Sequence, residues 1–275
     1  GCKQSIFDFL QVIIDDGDEV IIPQPYWVSY ADMVKYSGGK PIMLPTKYED
    51  NFSIDIHKFK SLITERTKLF MINSPNNPSG KYYDAEMLKK LSEVLNEHNN
   101  VFISSDDIYE HIHWGSEKFH NILNVCPELK SRKIILNGVS KAYSMTGWRI
   151  GYAAGNSEII KKMKTLQSQS TSCASSVSQA AACSALSNTC EEMPVMNNEY
   201  KKRHDYVVSE LNKIEGVNCR PTDGTFYVFP SFKKFIEMNS DISNDSELAL
   251  YILEKAKVAV VPGLSLIHIS EPTRQ

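Results

Sequence analysis

Apolar runs that alternate with helical patterns along the chain predict an α/β fold, a mainly parallel mixed sheet with helices on both faces. Two more observations support that class. Polar, turn-forming clusters follow several of the runs directly, as they do where strands leave the carboxyl edge of an open sheet. The run Lys68-Leu69-Phe70-Met71-Ile72 also has the length and composition of a buried strand. Strands are expected over 20–22, 41–44, 69–72, 101–104, 133–137 and 149–153.

The first element is a helix. Gly1-Cys2-Lys3-Gln4 precedes an amphipathic pattern that runs to Ile14, and the start of such a helix offers unpaired N–H groups and a positive dipole end to an anion such as phosphate. After the strand at 20–22 comes Pro23-Gln24-Pro25-Tyr26-Trp27-Val28-Ser29-Tyr30, in which Trp27 can lie against a flat ring or pack in the core. Helical patterns follow at 28–36 and 56–63, on either side of the strand at 41–44. The strand at 69–72 ends in Asn73-Ser74-Pro75-Asn76-Asn77-Pro78-Ser79-Gly80, a turn by its density of Pro, Asn and Gly.

A helix over 85–96 leads to the strand at 101–104 and then to Ser104-Ser105-Asp106-Asp107-Ile108-Tyr109-Glu110-His111. An acid at that point faces the crevice where open α/β sheets bind ligands, and a plainer role is to cap a helix. The strand at 133–137 is followed by Ser140-Lys141-Ala142-Tyr143-Ser144-Met145-Thr146-Gly147-Trp148-Arg149-Ile150-Gly151. Helices are expected at 158–169 and 176–187, and a long charged helix at 194–211 leads to strands at 225–229 and 258–261, with a polar surface loop at 239–246. The expected organisation is a large cofactor-binding domain over 1–190 and a linking helix with an incomplete small α+β domain over 191–263.

The chemistry is carried by Lys141 and Arg149. A lysine just after an apolar strand can form a Schiff base with an aldehyde cofactor, and an arginine offers phosphate a bidentate fork. Pyridoxal 5'-phosphate needs both. An acid such as Asp106 pairs with the protonated pyridine nitrogen and keeps the ring able to accept electrons. Asn77 and Tyr109 can hydrogen-bond its phenolic oxygen. Transamination moves one proton between the amino acid's α carbon and the cofactor, so a base with a lowered pKa must reach both atoms, and the displaced lysine is such a base. Each motif alone also admits a plainer role as a loop lysine, a turn former or a helix cap; their order along one chain is what makes the set specific.

With these motifs in view, the chain resembles the fold-type I aminotransferases, and within class I the bacterial aspartate aminotransferase branch (aspartate/prephenate). The resemblance runs from Gly1 to about Gly263 through G-C-K-Q, P-Y-W-V-S-Y, N-S-P-N-N-P-S-G, S-D-D-I-Y-E-H and S-K-A-Y-S-M-T-G-W-R-I-G-Y. It implies Lys141 as the Schiff-base lysine and acid/base, Asp106 as the pyridine-nitrogen partner, and Tyr109 and Asn77 on the phenolic oxygen. It further implies phosphate contacts from Arg149, Ser140 and the backbone around Cys2 and Lys3, and Trp27 stacked on the ring, with Trp27 and Asn77 bordering the substrate. Amino-acid and 2-oxo-acid substrates, here L-aspartate and 2-oxoglutarate, and a homodimer come with it. Prephenate or aromatic substrates, a different pyridoxal phosphate reaction such as a lyase, and an aminotransferase-like regulator domain remain alternatives.

The rest is largely exclusion. The formal net charge of -3 has no basic footprint for nucleic acid. Six scattered cysteines without C-x-x-C spacing read as free thiols of a reducing cytosol, hence a cytoplasmic location, and no apolar run is long enough for a membrane span. His111 and His113 lack a third ligand at a recognisable spacing, so no metal is expected. Gly38-Gly39-Lys40 lacks the remaining positions of a P-loop, and the hydroxyl-rich stretch 168–178 reads as a helix junction near the cofactor pocket. The chain opens on Gly1 in mid-motif, so a native segment is expected before it. Residues 264–275 read as a non-native tail resembling translated sequencing adapter. The arginine that in the family clamps the substrate's α-carboxylate would lie beyond Gly263, so the chain alone is expected to bind cofactor weakly and turn over little.

Overall fold

The computed structural model describes residues 1–115, 118–188 and 190–263; the expected tail over 264–275 lies outside the described residues. The elements begin with α1 (Cys2–Ile13), β1 (Glu19–Pro23), α2 (Ser29–Tyr36), β2 (Lys40–Leu44), α3 (Ile56–Leu62), β3 (Thr67–Asn73) and α4 (Ala85–Asn96). They continue with β4 (Phe102–Asp106), α5 (Ile122–Val125), β5 (Lys133–Gly138), β6 (Gly151–Gly155), α6 (Ser157–Ser170) and α7 (Ser176–Ser187). The long α8 (Glu192–Leu211), the short α9 (Lys233–Glu237) and α10 (Asp245–Ala256) follow. Six strands form one sheet in the order β2-β1-β3-β4-β5-β6. Every neighbouring pair is parallel except β5 and β6, which run antiparallel with Gly138 opposite Gly151.

Alternation along each strand divides the core into two layers, because successive side chains point to opposite faces. Val20, Ile22, Leu69, Met71, Ile134 and Leu136 meet α1 and α2 through Phe9, Leu10 and Val34 on one face. On the other, Ile21, Phe70, Ile72 and Ile103 meet Phe59 of α3 and Leu88, Leu91 and Leu95 of α4. Burial on both faces is why these strands read as continuous apolar runs. Among the described residues no helix is long and apolar enough to cross a membrane.

Four expectations are corrected. The strand expected over 149–153 starts at Gly151 instead, and Arg149 sits in the left-handed region (φ 58°) after a 3₁₀ turn at Thr146–Trp148. No strand forms over 225–229: Thr225 is left-handed (φ 67°), which breaks the extended path, and this region has only the isolated bridges His113–Gly224 and Asn218–Ser231. None forms over 258–261 either, where Val258, Val260 and Val261 are exposed and have no ladder partner among the described residues, so β-branched side chains have nothing to pack against. The loop expected at 239–246 holds only as far as 244, where Asn244 caps α10 and accepts from the Glu247 N–H at 2.9 Å.

Two buried ionisable groups fix opposite edges of the sheet, Lys133 the amino edge and Asp107 the carboxyl edge. Lys133, at the start of β5, is fully buried; its ammonium donates to the carbonyls of Ile122, at 3.0 Å, and Cys126, and burial lowers its pKa to about 8. Asp107 accepts from the Ser105 hydroxyl at 2.5 Å while its backbone N–H donates to Leu136 O at 2.9 Å. Burial raises its carboxyl to about 8, opposed by the Ser105 hydrogen bond and reinforced by Glu110 and Asp106.

Phe70→Ala should cost about 3–5 kcal/mol, read from denaturant midpoints, because the ring is fully buried between α3 and α4. Asp107 ionises near pH ~4 when unfolded but only near about 8 when folded. The folded chain therefore holds a proton that the unfolded chain has lost, and stability falls as pH rises through that window. Asp107→Asn should remove this slope, which unfolding midpoints at about pH 5 and about pH 8 will measure.

Candidate active site

The carboxyl ends of the central strands deliver the polar residues to one place. Asn73 ends β3 directly opposite Asp106, which ends β4, and Asp106 pairs in turn with Leu136 of β5. The segment after β1 brings Trp27, the turn after β3 brings Asn77, and the turn after β5 brings Ser140 and Lys141. All of these side chains, together with Cys2, Lys3, Tyr109 and Arg149, line a single cavity of ≈ 290 Å³. The candidate lysine and the candidate carboxylate thus share one cavity.

Asp106 is the most heavily constrained group. Its carboxylate accepts from the Tyr30 hydroxyl at 2.6 Å, from the Ile108 N–H at 3.3 Å and from the Cys2 thiol at 3.8 Å. Burial raises its pKa to about 6, while the Tyr30 hydrogen bond does most to hold it down and Lys141 helps. The Cys2 thiol is in turn driven well above its ordinary range by burial and by Asp106, so it stays a neutral donor. Asn73 locks the adjacent strand exits: its Nδ2 donates to Asp106 O at 2.8 Å and its Oδ1 accepts from Asn77 N at 2.7 Å.

Lys141 is half-buried, with its ammonium 5.3 Å from the ring centre of Phe226 and 5.9 Å from that of Tyr109. Burial lowers its pKa first and the Arg149 guanidinium second, against the pull of Asp106. Arg149 is brought to the start of α1: Gly1 N donates to Arg149 O at 2.9 Å, and a Cβ added at Gly1 would stand 3.0 Å from Arg149 Nη2. No side chain caps α1, which leaves its first N–H groups available beside the guanidinium. Gly151 is required for this approach, since a Cβ there would lie 2.2 Å from Cys2 N. Lys3 places its ammonium 4.6 Å from the Trp27 ring centre, and Trp27 meets Tyr30 edge to face at 5.4 Å.

Tyr30, Asn73 and Tyr227 are among the lining residues that sequence reasoning missed. Tyr30 and Asn73 lay inside quoted motifs, but nothing in their spacing marked them as partners of Asp106. Tyr227 reaches the cavity from the segment after α8, and its hydroxyl lies 2.9 Å from that of Tyr109 and 3.4 Å from Asn77 Nδ2. It carried no local signal, because its stretch reads as an ordinary strand.

The chain is similar in sequence and fold to known proteins. The family model for aminotransferase class I and II matches residues 1–272. The chain is 46% identical over 268 residues to the aspartate/prephenate aminotransferase of Nitrosomonas europaea, covering 96% of this chain and 68% of that protein. It is 43% identical to an aspartate aminotransferase of Rhizobium meliloti, covering 96% and 65%. The crystal structure of the Rhizobium meliloti aspartate aminotransferase superposes with a TM-score of 0.93 at 42% identity, over 97% of this chain and 68% of the other. The aromatic aminotransferase of Pyrococcus horikoshii superposes at 0.90 and 33% identity, over 97% and 69%. The chain spans about two thirds of the length of these relatives. On sequence and fold together, it belongs to the class I and II aminotransferase family.

Proposed function

We propose that this chain forms the cofactor-bearing part of a pyridoxal 5'-phosphate-dependent aminotransferase that passes the amino group of L-aspartate to 2-oxoglutarate. The observation that carries the reading is the convergence of Lys141, Asp106 and Arg149 on one cavity. The residues fit the cofactor: a guanidinium beside an uncapped helix start suits its phosphate, a buried carboxylate with three donors suits its ring nitrogen, and an indole borders the space. When bound, the cofactor supplies an aldehyde that receives the substrate's amine and a ring that takes up electrons.

The chain's own groups do the remaining work. Lys141 Nζ would take the proton from the substrate's α carbon and hold it for return within the site. Its lowered pKa favours the neutral amine that this requires. Asp106, kept ionised by Tyr30 against the cost of burial, would accept the hydrogen bond of the ring N–H. Tyr109 and Asn77 would donate to the phenolic oxygen, while Arg149, Ser140 and the first amides of α1, at Cys2 and Lys3, would hold the phosphate. Trp27 flanks the ring and, with Asn77, borders the substrate.

The division into 1–190 and 191–263, a homodimer and a cytoplasmic location belong to the same reading. The name of the Nitrosomonas europaea relative favours prephenate as a second amino acceptor.

Lys141→Ala tests the assignment. With added pyridoxal 5'-phosphate it should lose the bound cofactor's visible band and slow amino transfer from aspartate to 2-oxoglutarate by at least ~10²–10⁴-fold. A variant that keeps either property removes Lys141 from its role.

A further inference from the structure

One wall of the cavity comes from outside every motif that the sequence offers. Tyr227 lies on the irregular segment 222–227, and that segment is tied back to the chain that leaves β4. Trp114 N donates to Asp223 O at 2.8 Å and Trp114 Nε1 to Thr222 O at 2.9 Å, while Thr225 N donates to Ile112 O at 2.8 Å. From α8, the His204 ring Nε2 accepts from Thr222 N at 3.0 Å. The stretch that carries Asp106 and Tyr109 therefore also clamps the loop that carries Tyr227.

Thr225 makes the clamp directional. It is fully buried and β-branched, yet it is held at φ 67°, a strained conformation that survives only where surrounding contacts over-determine it. Its Oγ1 accepts from Tyr227 N at 3.2 Å, so the strained turn aims the Tyr227 ring.

Asn77 Nδ2 can only donate, so it takes a lone pair of the Tyr227 oxygen. Either hydroxyl can donate across the 2.9 Å between Tyr227 and Tyr109; the arrangement of interest is the one in which Tyr227 gives its proton to the Tyr109 oxygen. Tyr109, whose hydroxyl burial keeps protonated well above its ordinary range, then has its own proton free to point elsewhere.

We propose that Tyr227 is a positioning residue of the amino-transfer site: its hydroxyl completes a relay from Asn77 through Tyr109 that turns the Tyr109 proton into the cavity, toward the phenolic oxygen of the cofactor. The proposal rests on the function argued above. A donor aimed at that oxygen draws off electron density and weakens the hold of the bound cofactor on its titrating proton. Loss of the relay therefore raises the pH at which the visible band shifts.

The test is a pH titration of the cofactor's visible band in the full 275-residue chain with added pyridoxal 5'-phosphate, with melting temperature measured alongside. Tyr109→Phe should raise the midpoint. Tyr227→Phe should raise it by about half a pH unit to one unit, the effect of one ordinary hydrogen bond. The double variant should move it no further than Tyr109→Phe alone, because both act through one proton. Thr225→Gly, which relieves the strained turn and loosens the aim of Tyr227, should raise it by less. An unmoved midpoint in Tyr227→Phe, or shifts that add in the double variant, overturns the relay. A wild-type chain that takes up the cofactor without any visible band overturns instead the reading on which the relay rests, and the relay falls with it.

Discussion

A carboxylate shut away from water must be met by donors, and around Asp106 those donors organise the site. Tyr30 reaches it from α2, Cys2 from α1 and Ile108 from its own turn, so three segments distant in sequence are drawn to one side chain. Without them, burial would leave the acid neutral at the carboxyl end of β4. The parallel register makes this meeting point available, because pairing Asn73 with Asp106 and Asp106 with Leu136 brings the three strand exits level.

The positive side of the site is built from backbone geometry as much as from charge. Arg149 reaches the start of α1 because its residue turns left-handed and because Gly151, having no side chain, lets the helix cross the beginning of β6. A motif written as G-W-R-I-G therefore encodes two conformational requirements along with one guanidinium. The same logic holds at Thr225, where a strained residue directs a neighbouring ring.

The large sheet was legible because its strands are buried on both faces and so betray themselves as apolar runs, each with a polar exit. The candidate residues on those exits could be read because a strand end dictates where its next few side chains go. Tyr30 and Tyr227 could not be read that way. Their parts depend on which ring lands beside which acid or phenol after folding, and no local period encodes that. The region beyond α8 misled for a related reason: Thr225 and the valines near Val260 carry strand-like composition, but a ladder needs a neighbour, and none is present among the described residues. The helix α10 had a readable start in Asn244 and Glu247, outweighed by the polarity around it.

The antiparallel pairing of β5 with β6 gives the connection between them a property that the other crossovers lack. Both of its feet stand in adjacent rungs of the sheet, at Gly138 and Gly151, so the amine and the guanidinium are mounted like the two jaws of a caliper on a single rigid bar. Tyr227, by contrast, hangs from a different part of the chain. Motion of the later segments would therefore move Tyr227 without altering the span between the jaws.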